Sequence, residues 1–252
     1  MKLFRIAELL EKEFPLSDAY EWDNCGLLLG DRERDIKTAL LSLDVTPAVA
    51  LEAKNCGADL ILSHHPILFD GAKSITGDTP EGKTLLTLLE NKICVYSAHT
   101  NCDVGKNGIN ARLAELFELC DTEFLEDNGL GRIGNLKNSV SLGDFAENTK
   151  KLLNTPFVRF CGDKSAKISR VAVASGACAD SIPTSFKKGA DAIVTADMKY
   201  HDMLNYSELG ISIIDAGHYP TEIIVNDIFY DILASTGITL IKSANPDIFQ
   251  II

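Results

Sequence analysis

Short apolar runs alternate along the chain with segments whose apolar residues recur at helical spacing. The runs 39–43 and 60–62 each predict a buried strand. Between them, Thr46 and Pro47 are typical of a helix start, and Gly57 is typical of a helix end. Strand, helix and strand in this order predict a parallel βαβ unit with a right-handed crossover, so the chain is predicted to be an α/β protein.

The second half of the chain repeats this pattern. Gly57-Ala58-Asp59 matches Gly189-Ala190-Asp191 at an offset of 189 minus 57, or 132, residues, and apolar runs flank both triplets. A second match pairs His99 with His218 at an offset of 218 minus 99, or 119, residues, and a short apolar run leads into each histidine. Two matches in the same order indicate an internal duplication.

The duplication predicts two pseudo-equivalent α/β lobes, residues 1–125 and 126–252, each a mostly parallel sheet flanked by helices. The stretch 126–165 begins with glycines and asparagines, so it is the predicted connection between them.

Composition narrows the class of protein. With 46% hydrophobic and 24% charged residues, the chain has the balance of a globular protein, which excludes disorder and coiled coil. No apolar stretch approaches the roughly 20 residues that span a bilayer. Residues 1–8 mix charges with their apolar side chains, unlike a signal peptide. We therefore expect a cytoplasmic protein without a membrane partner.

Charge and cysteine content disfavour two further classes. The net charge is −12, whereas binding to nucleic-acid phosphates requires clustered lysines and arginines. We therefore do not expect a nucleic-acid partner. Seven scattered cysteines include no Cys-x-x-Cys pair, so neither a zinc ribbon nor thioredoxin-type redox chemistry is predicted.

All five histidines lie after a predicted apolar strand or on the turn behind it. Ligands of open α/β sheets bind at the carboxyl ends of the strands, so these side chains are candidate functional groups. A lone histidine there is more often a hydrogen-bonded polar residue than a ligand, whereas several together favour a metal site. The five are His64, His65, His99, His201 and His218.

Two of these histidines are adjacent, in Ser63-His64-His65-Pro66. Neighbouring side chains of a strand point to opposite faces, and the proline removes a donor from the strand ladder. The two imidazoles are thus expected to leave the strand end in divergent directions, which suits two metal ions better than one. The alternative is a strand cap in which the rings bond to backbone carbonyls.

Two further pairs of residues combine an imidazole with a carboxylate. His99 and Asp103, like His218 and Glu222, are four residues apart. These donors suit Zn, Fe, Mn or Co better than Ca or Mg, and the duplication predicts that they face one another in a metal site between the lobes. Two simpler alternatives stay open: Thr221 caps a helix whose first turn contains Glu222, and Asp103 is a turn carboxylate.

The segment 22–26, Trp-Asp-Asn-Cys-Gly, holds the only tryptophan of the chain. It either lines a pocket or closes a turn by packing, and the turn is the favoured interpretation.

Five segments together resemble a known family. They are Trp22-Asp23-Asn24-x-Gly26-Leu27, Asp44-Val45-Thr46-Pro47, Ser63-His64-His65-Pro66, Asn107-Gly108-x-Asn110 and Gly217-His218-x-x-Thr221-Glu222. In this order and over nearly the whole chain, they resemble the NIF-three-like dinuclear-metal family, whose members are often named GTP cyclohydrolase I type 2 homologues.

The resemblance implies a two-lobed protomer without the inserted domain of longer members, a toroidal homohexamer, and two divalent metal ions per subunit. It places His99 and His201 beside the metals as outer-shell or proton-transfer groups, and it makes Glu222 the bridging ligand. The ligands that it implies are His64, His65, Asp103, His218 and Glu222.

Two functions fit these expectations. The first is a metal-dependent hydrolase that acts on a nucleotide or another small molecule, GTP cyclohydrolase-like if the family name applies. The alternative is a non-enzymatic, hexameric metal-binding scaffold or metal-handling protein.

Overall fold

A computed structural model describes residues 1–251 of the protein. The chain forms two compact units. The first comprises Met1–Cys102 and Val225–Pro246, and the second comprises Asp103–Ile224 and the residues from Asp247 onward. These bounds differ from the lobes 1–125 and 126–252, because a late helix and strand return to the first sheet.

Strands and helices alternate over most of the described chain. The strands are β1 (Gly26–Leu29), β2 (Thr38–Ser42), β3 (Leu60–Ser63), β4 (Cys94–Ser97), β5 (Cys120–Phe124), β6 (Arg132–Ser141), β7 (Arg159–Cys161), β8 (Lys167–Val173), β9 (Ala192–Thr195), β10 (Ser212–Asp215) and β11 (Thr239–Lys242). The helices are α1 (Leu3–Glu13), α2 (Pro47–Cys56), α3 (Pro80–Glu90), α4 (Thr100–Val104), α5 (Ile109–Leu116), α6 (Leu142–Leu152), α7 (Ile182–Lys187), α8 (Tyr200–Glu208), α9 (His218–Glu222) and α10 (Val225–Leu233). Among residues 1–251, no helix has the length and apolar character needed to cross a membrane.

The first unit contains a five-stranded sheet in the order β1-β4-β3-β2-β11. All its pairings are parallel except that of β1 with β4, and β2 pairs with β3 as the βαβ prediction requires. The connecting helix α2 begins at Thr46, whose side chain accepts a hydrogen bond from the Val49 N–H, and ends at Gly57 with a φ of 69°. Apolar residues of this helix pack with Leu40 and Ile61 in one buried core.

The second unit contains a six-stranded sheet in the order β5-β6-β8-β9-β10-β7. Only its centre, β8-β9-β10, is parallel, and the three outer pairings are antiparallel. The α/β class is therefore confirmed for both units, but the second sheet is mixed rather than mostly parallel. The loop 125–131 is too short for a crossover connection, so β5 and β6 form an antiparallel pair.

The internal repeat is visible in equivalent hydrogen bonds. Asp59 and Asp191 each precede a parallel strand, and one carboxylate oxygen of each accepts hydrogen bonds from two backbone N–H groups in or directly before the neighbouring strand, at 2.7–3.2 Å. The donors, also 132 residues apart, are Lys37 and Thr38 for Asp59, and Ser169 and Arg170 for Asp191. The duplicated aspartate thus aligns two parallel strands in each unit.

Removing the carboxylate of Asp59 or of Asp191 is expected to destabilise the protein. We expect Asp59→Ala to lower the free energy of unfolding by about 1–3 kcal/mol, because two N–H groups lose an ionised acceptor. Asp191→Ala is expected to have a smaller effect, since Asp191 is exposed and water replaces its hydrogen bonds. Urea unfolding measures both, with the exposed Asp78→Ala as the control. Equal midpoints for the Asp59 and Asp78 variants would contradict the assigned role.

Candidate metal centre

His64 and His65 stand at the carboxyl end of β3. Their backbone N–H groups donate to the carbonyls of Ser42 (3.2 Å) and Leu43 (2.9 Å), so the pair continues the strand. His64 is fully buried and His65 is half-buried, and their ring centroids are 5.0 Å apart. The strand end therefore presents two imidazoles side by side.

The Nδ1 atom of each ring has an oxygen partner. Nδ1 of His64 lies 2.8 Å from the Ala98 carbonyl oxygen, a contact that the strand-cap alternative also predicts. Nδ1 of His65 lies 2.7 Å from Oδ1 of Asp44, which follows β2. In both rings the Nε2 atom is therefore the candidate metal ligand.

His99 completes a set of three. It follows β4, and its ring centroid is 5.0 Å from that of His64 and 5.4 Å from that of His65. Its Nδ1 lies 2.9 Å from Oδ1 of Asp23. One nitrogen of each ring lies within 4.8 Å of the other two, so these residues, the histidine cluster, could hold a metal ion.

Asp23 is the most heavily bonded group beside the cluster. Its side chain is fully buried, and its Oδ2 accepts hydrogen bonds from the Thr100 N–H (3.0 Å), the Thr100 hydroxyl (2.6 Å) and the Cys25 thiol (3.0 Å). Burial alone raises the pKa of Asp23, but hydrogen bonds from His99, Thr100 and Cys25 outweigh it and hold the pKa far below its usual range. Asp23 is therefore a carboxylate that orients His99.

Pairing of Nδ1 with an oxygen is what metal-binding histidines require. Such a partner fixes the ring orientation and the tautomer in which Nε2 carries the lone pair. The sequence identified the three rings but missed the roles of Asp44 and Asp23. The available signal was the position of Asp44, directly after β2 at the same sheet edge as the histidines.

The second unit contains a similar histidine. His218 lies on α9, which follows β10, and its Nδ1 is 2.7 Å from Oδ2 of Asp197, which follows β9. Its Nε2 is 2.8 Å from Oε2 of Glu222, one helical turn later. Glu222 is only 4% exposed, so the pair is a buried carboxylate facing an oriented imidazole.

The predicted N-cap at Thr221 is wrong. Helix α9 begins at His218, after Gly217 with a φ of 87°, so Glu222 is at its end and not in its first turn. The Thr221 hydroxyl instead lies 3.0 Å from the Gly217 carbonyl and accepts a hydrogen bond from the Gly176 N–H. The helix therefore begins after Gly217, four residues earlier than an N-cap at Thr221 would place it.

Gly176 provides the space for the Glu222 carboxylate. A Cβ atom at Gly176 would lie 2.1 Å from Oε1 of Glu222 and 3.4 Å from Nε2 of His218. At the 132-residue offset, Gly176 is the counterpart of Asp44 in the first unit. The second unit thus has no side chain at the position equivalent to Asp44, and Glu222 lies in that space.

Asp103 is also buried in the second unit. It is 9% exposed, and its backbone carbonyl accepts a hydrogen bond from the side chain of Asn110, which in turn accepts one from the Ser175 N–H. Burial raises the pKa of the Cys178 thiol, and the negative charges of Asp103 and Glu222 raise it further. Both carboxylates therefore lie near enough to Cys178 to affect its pKa.

His201 is placed differently. It lies on α8, is exposed, and contacts the ring of Tyr200 edge-on at 5.3 Å. Within residues 1–251 it belongs to none of the groups of three side chains able to hold a metal. Its part in proton transfer stays a prediction.

Two segments match glycine patterns of nucleotide-binding proteins, but neither has the secondary structure that these patterns require. Residues 77–84 match the phosphate-loop pattern Gly-x-x-x-x-Gly-Lys-Thr, but α3 already begins at Pro80 and no strand leads into the loop. Residues 129–134 match Gly-x-Gly-x-x-Gly, but they run into a strand, β6, and not into a helix. Neither segment has the strand–loop–helix context that cradles phosphate.

The donors present fit a transition metal. Imidazole nitrogens and carboxylate oxygens suit Zn, Fe, Mn or Co, and each oriented ring has the outer partner that such ligands need. Fold and donors together define an α/β protein of two units with candidate histidine–carboxylate metal sites at strand ends. The number of bound ions and the complete ligand set stay predictions.

Comparison with known proteins identifies the family. The chain belongs to the Duf34/NIF3 (NGG1p interacting factor 3) family, which it matches over residues 1–246. It is 38% identical over 241 residues to the GTP cyclohydrolase 1 type 2 homolog of Methanocaldococcus jannaschii, covering 93% of this chain and 96% of that protein.

Two further proteins are similar. The GTP cyclohydrolase 1 type 2 homolog of Clostridium acetobutylicum is 36% identical over 231 residues, covering 88% of this chain and 85% of that protein. A crystal structure of a Staphylococcus aureus hypothetical protein matches with a TM-score of 0.93 and 29% identity, covering 100% of this chain and 99% of the other. These matches confirm the family resemblance and the two-sheet α/β fold.

Proposed function

We propose that this protein binds two divalent transition-metal ions and is a metal-dependent hydrolase of a nucleotide or another small molecule. One observation carries the proposal: all three rings of the histidine cluster have Nδ1 held by an oxygen atom, and their ligand nitrogens lie within 4.8 Å of one another. A histidine whose only role is structural needs no such convergence.

The proposed ligand set also includes the carboxylates of the second unit. Glu222 is buried against Nε2 of His218, and burial of a carboxylate is costly unless a cation or donors compensate its charge. We assign His99 either as a further ligand or as the proton-transfer group. The proposed ligands are His64, His65, Asp103, His218 and Glu222.

The roles of the protein groups follow from their contacts. A bound pair of divalent ions would supply Lewis acidity and lower the pKa of water toward neutrality. Asp44, Asp23 and Asp197 contact Nδ1 of His65, His99 and His218, respectively, and so favour the tautomer in which Nε2 can coordinate a metal. In this structure Nε2 of His218 contacts Oε2 of Glu222. Neutral imidazoles coordinate metal, so affinity is expected to fall in acid.

Metal analysis tests the proposal. After reconstitution with Zn²⁺ or Mn²⁺, we expect the wild-type protein to hold two ions per chain. His64→Ala and Glu222→Gln should each weaken binding by more than the roughly 10- to 100-fold typical of losing an outer-shell partner. Asp18→Asn is the control, because Asp18 is exposed and belongs to none of the groups of side chains able to hold a metal within residues 1–251. A wild-type protein without metal, or variants that keep both ions, would refute the site.

Turnover assays separate an enzyme from a metal-handling scaffold. The relatives are named GTP cyclohydrolase 1 type 2 homologs, so GTP is tested first, followed by other nucleotides and phosphoesters. We expect turnover by the metal-loaded protein and its loss in Glu222→Gln. If no substrate reacts although both ions are bound, the scaffold alternative replaces the hydrolase. The homohexamer and the cytoplasmic location stay predictions.

A further inference from the structure

Exposed aromatic rings adjoin the histidine cluster in the first unit. The ring of Trp22 lies 5.5 Å from that of Phe69 and 6.2 Å from that of His99, between centroids. Phe69 is itself 6.1 Å from His99, and Tyr20 packs edge-on against Trp22 at 5.5 Å. We call Tyr20, Trp22 and Phe69 the aromatic surface.

Packing does not account for this surface. Trp22 is 57% exposed and Phe69 is 47% exposed, although a tryptophan that closes a turn by packing buries most of its ring. The favoured sequence interpretation of Trp22 is therefore incomplete. Large exposed aromatic side chains grouped beside a polar site are typical of ligand binding.

The surface is held in place by the groups that orient His99. The Tyr20 N–H donates to the Thr100 hydroxyl at 3.0 Å, and Asp23, directly after Trp22, binds both Thr100 and His99. The side chain of Asn24 donates to the Leu68 carbonyl, which ties the Phe69 loop to the Trp22 turn. The backbone segments that carry the aromatic rings are thus held relative to the cluster without a ligand, which lowers the entropic cost of binding.

His99 is partly accessible to solvent beside the aromatic surface. The side chain of His99 retains 15% exposure, and the rings of Trp22 and Phe69 flank it. A small planar molecule stacked on these rings would leave His99 accessible to its reactive end. A second protein chain seated there would cover His99, so a small molecule is the favoured occupant.

We propose that Trp22 and Phe69 form a stacking subsite for the planar heteroaromatic ring of the substrate, beside the histidine cluster. This proposal rests on the proposed function for the nature of the reaction, but the stacking itself needs no metal. The exposed acids Glu21 and Asp70 adjoin the two rings in the chain, which favours a neutral or cationic ring over an anionic one.

The sole tryptophan of the chain makes the subsite directly observable. Guanosine and adenosine are the probes, because they offer a purine ring without phosphate. We expect them to quench Trp22 fluorescence in both metal-free and Zn²⁺-loaded protein, whereas ribose does not. By calorimetry, Trp22→Ala and Phe69→Ala should each weaken purine binding by about 5- to 150-fold. Trp22→Phe should keep most of the affinity.

The matched control is Phe186→Ala. Phe186 is 52% exposed, comparable to Phe69, but lies on α7 in the second unit, so its loss should leave purine binding unchanged. Zn²⁺ content is measured in every variant. A wild-type protein that takes up no Zn²⁺ on reconstitution but still binds purines refutes the metal proposal and keeps the subsite.

Three outcomes overturn the subsite. The first is that neither purine binds the wild-type protein, and the second is that both alanine variants bind purines as the wild type does. The third is that the two variants lower the oligomeric mass in sedimentation while purines have no effect, which would assign the surface to a second copy of the chain.

Discussion

Asp23→Asn is expected to lower the affinity of the protein for Zn²⁺ or Mn²⁺ by about 10- to 100-fold, the range typical of losing an outer-shell partner, where His99 is the further ligand. Oδ1 of Asp23 accepts from the Asn24 N–H (2.8 Å) and lies 2.9 Å from Nδ1 of His99, while Oδ2 accepts from Thr100 and Cys25. Both oxygens of the carboxylate are therefore acceptors.

An asparagine has only one acceptor oxygen, so neither orientation of its amide satisfies these contacts. If the NH₂ group faces Thr100, donors oppose donors, and an N–H and a hydroxyl lose their acceptor. If it faces His99, Nδ1 must accept, the ring proton moves to Nε2, and Nε2 can no longer coordinate. The first orientation also costs about 1–3 kcal/mol of stability for each buried group left unsatisfied.

Titration calorimetry with Zn²⁺ and urea unfolding measure the two effects. Asp18→Asn is the control, since Asp18 is an exposed carboxylate nearby in the sequence whose side chain accepts a hydrogen bond from the neighbouring Ser17 hydroxyl. Wild-type Zn²⁺ affinity in the Asp23 variant would show that the orientation of His99 does not contribute to metal binding.

Gly176→Ala is expected to disrupt the contact between Glu222 and His218. We expect the affinity for Zn²⁺ to fall by about tenfold or more as a result. The new Cβ would lie 2.1 Å from Oε1 of Glu222, far inside contact distance, so the carboxylate must leave its position. The φ of 64° adds the cost of a left-handed conformation for an alanine, about 1–2 kcal/mol.

Gly189→Ala separates the two contributions. Gly189 has a φ of 77° in the same unit, and a Cβ there would meet nothing within 4 Å. We expect this variant to lose about 1–2 kcal/mol of stability and to bind metal like the wild type. If both glycine variants bind Zn²⁺ equally well, Glu222 is not a ligand or can coordinate from another position.

Local sequence patterns predicted much of the fold. Thr46, Pro47 and Gly57 marked the helix α2 correctly, because N-caps, first-turn prolines and left-handed C-caps are local in the chain. The triplet at 57–59 and its copy at 189–191 likewise identified the duplicated strand-alignment motif. The mixed order of the second sheet was missed, because hairpin pairing at its edge depends on which strands become neighbours.

The candidate site was predicted only in part. The histidines could be found because they follow apolar runs, and the structure groups His64, His65 and His99. Their oxygen partners could not be found. Asp23 and His99 are 76 residues apart, and Asp44 and His65 are 21 apart, so their pairing depends on how loops meet at the sheet edge.

By itself, the sequence determined the α/β class, the duplication, the family and the residues at the strand ends, since hydrophobic periodicity, repeat offsets and motif order are properties of the chain alone. Only the tertiary structure decided which oxygen holds each imidazole, where Glu222 finds room beside Gly176, and that Trp22 is exposed beside His99. The physical reason is that tautomer, clash and exposure depend on atoms brought within a few ångströms by packing, and no local pattern encodes those distances.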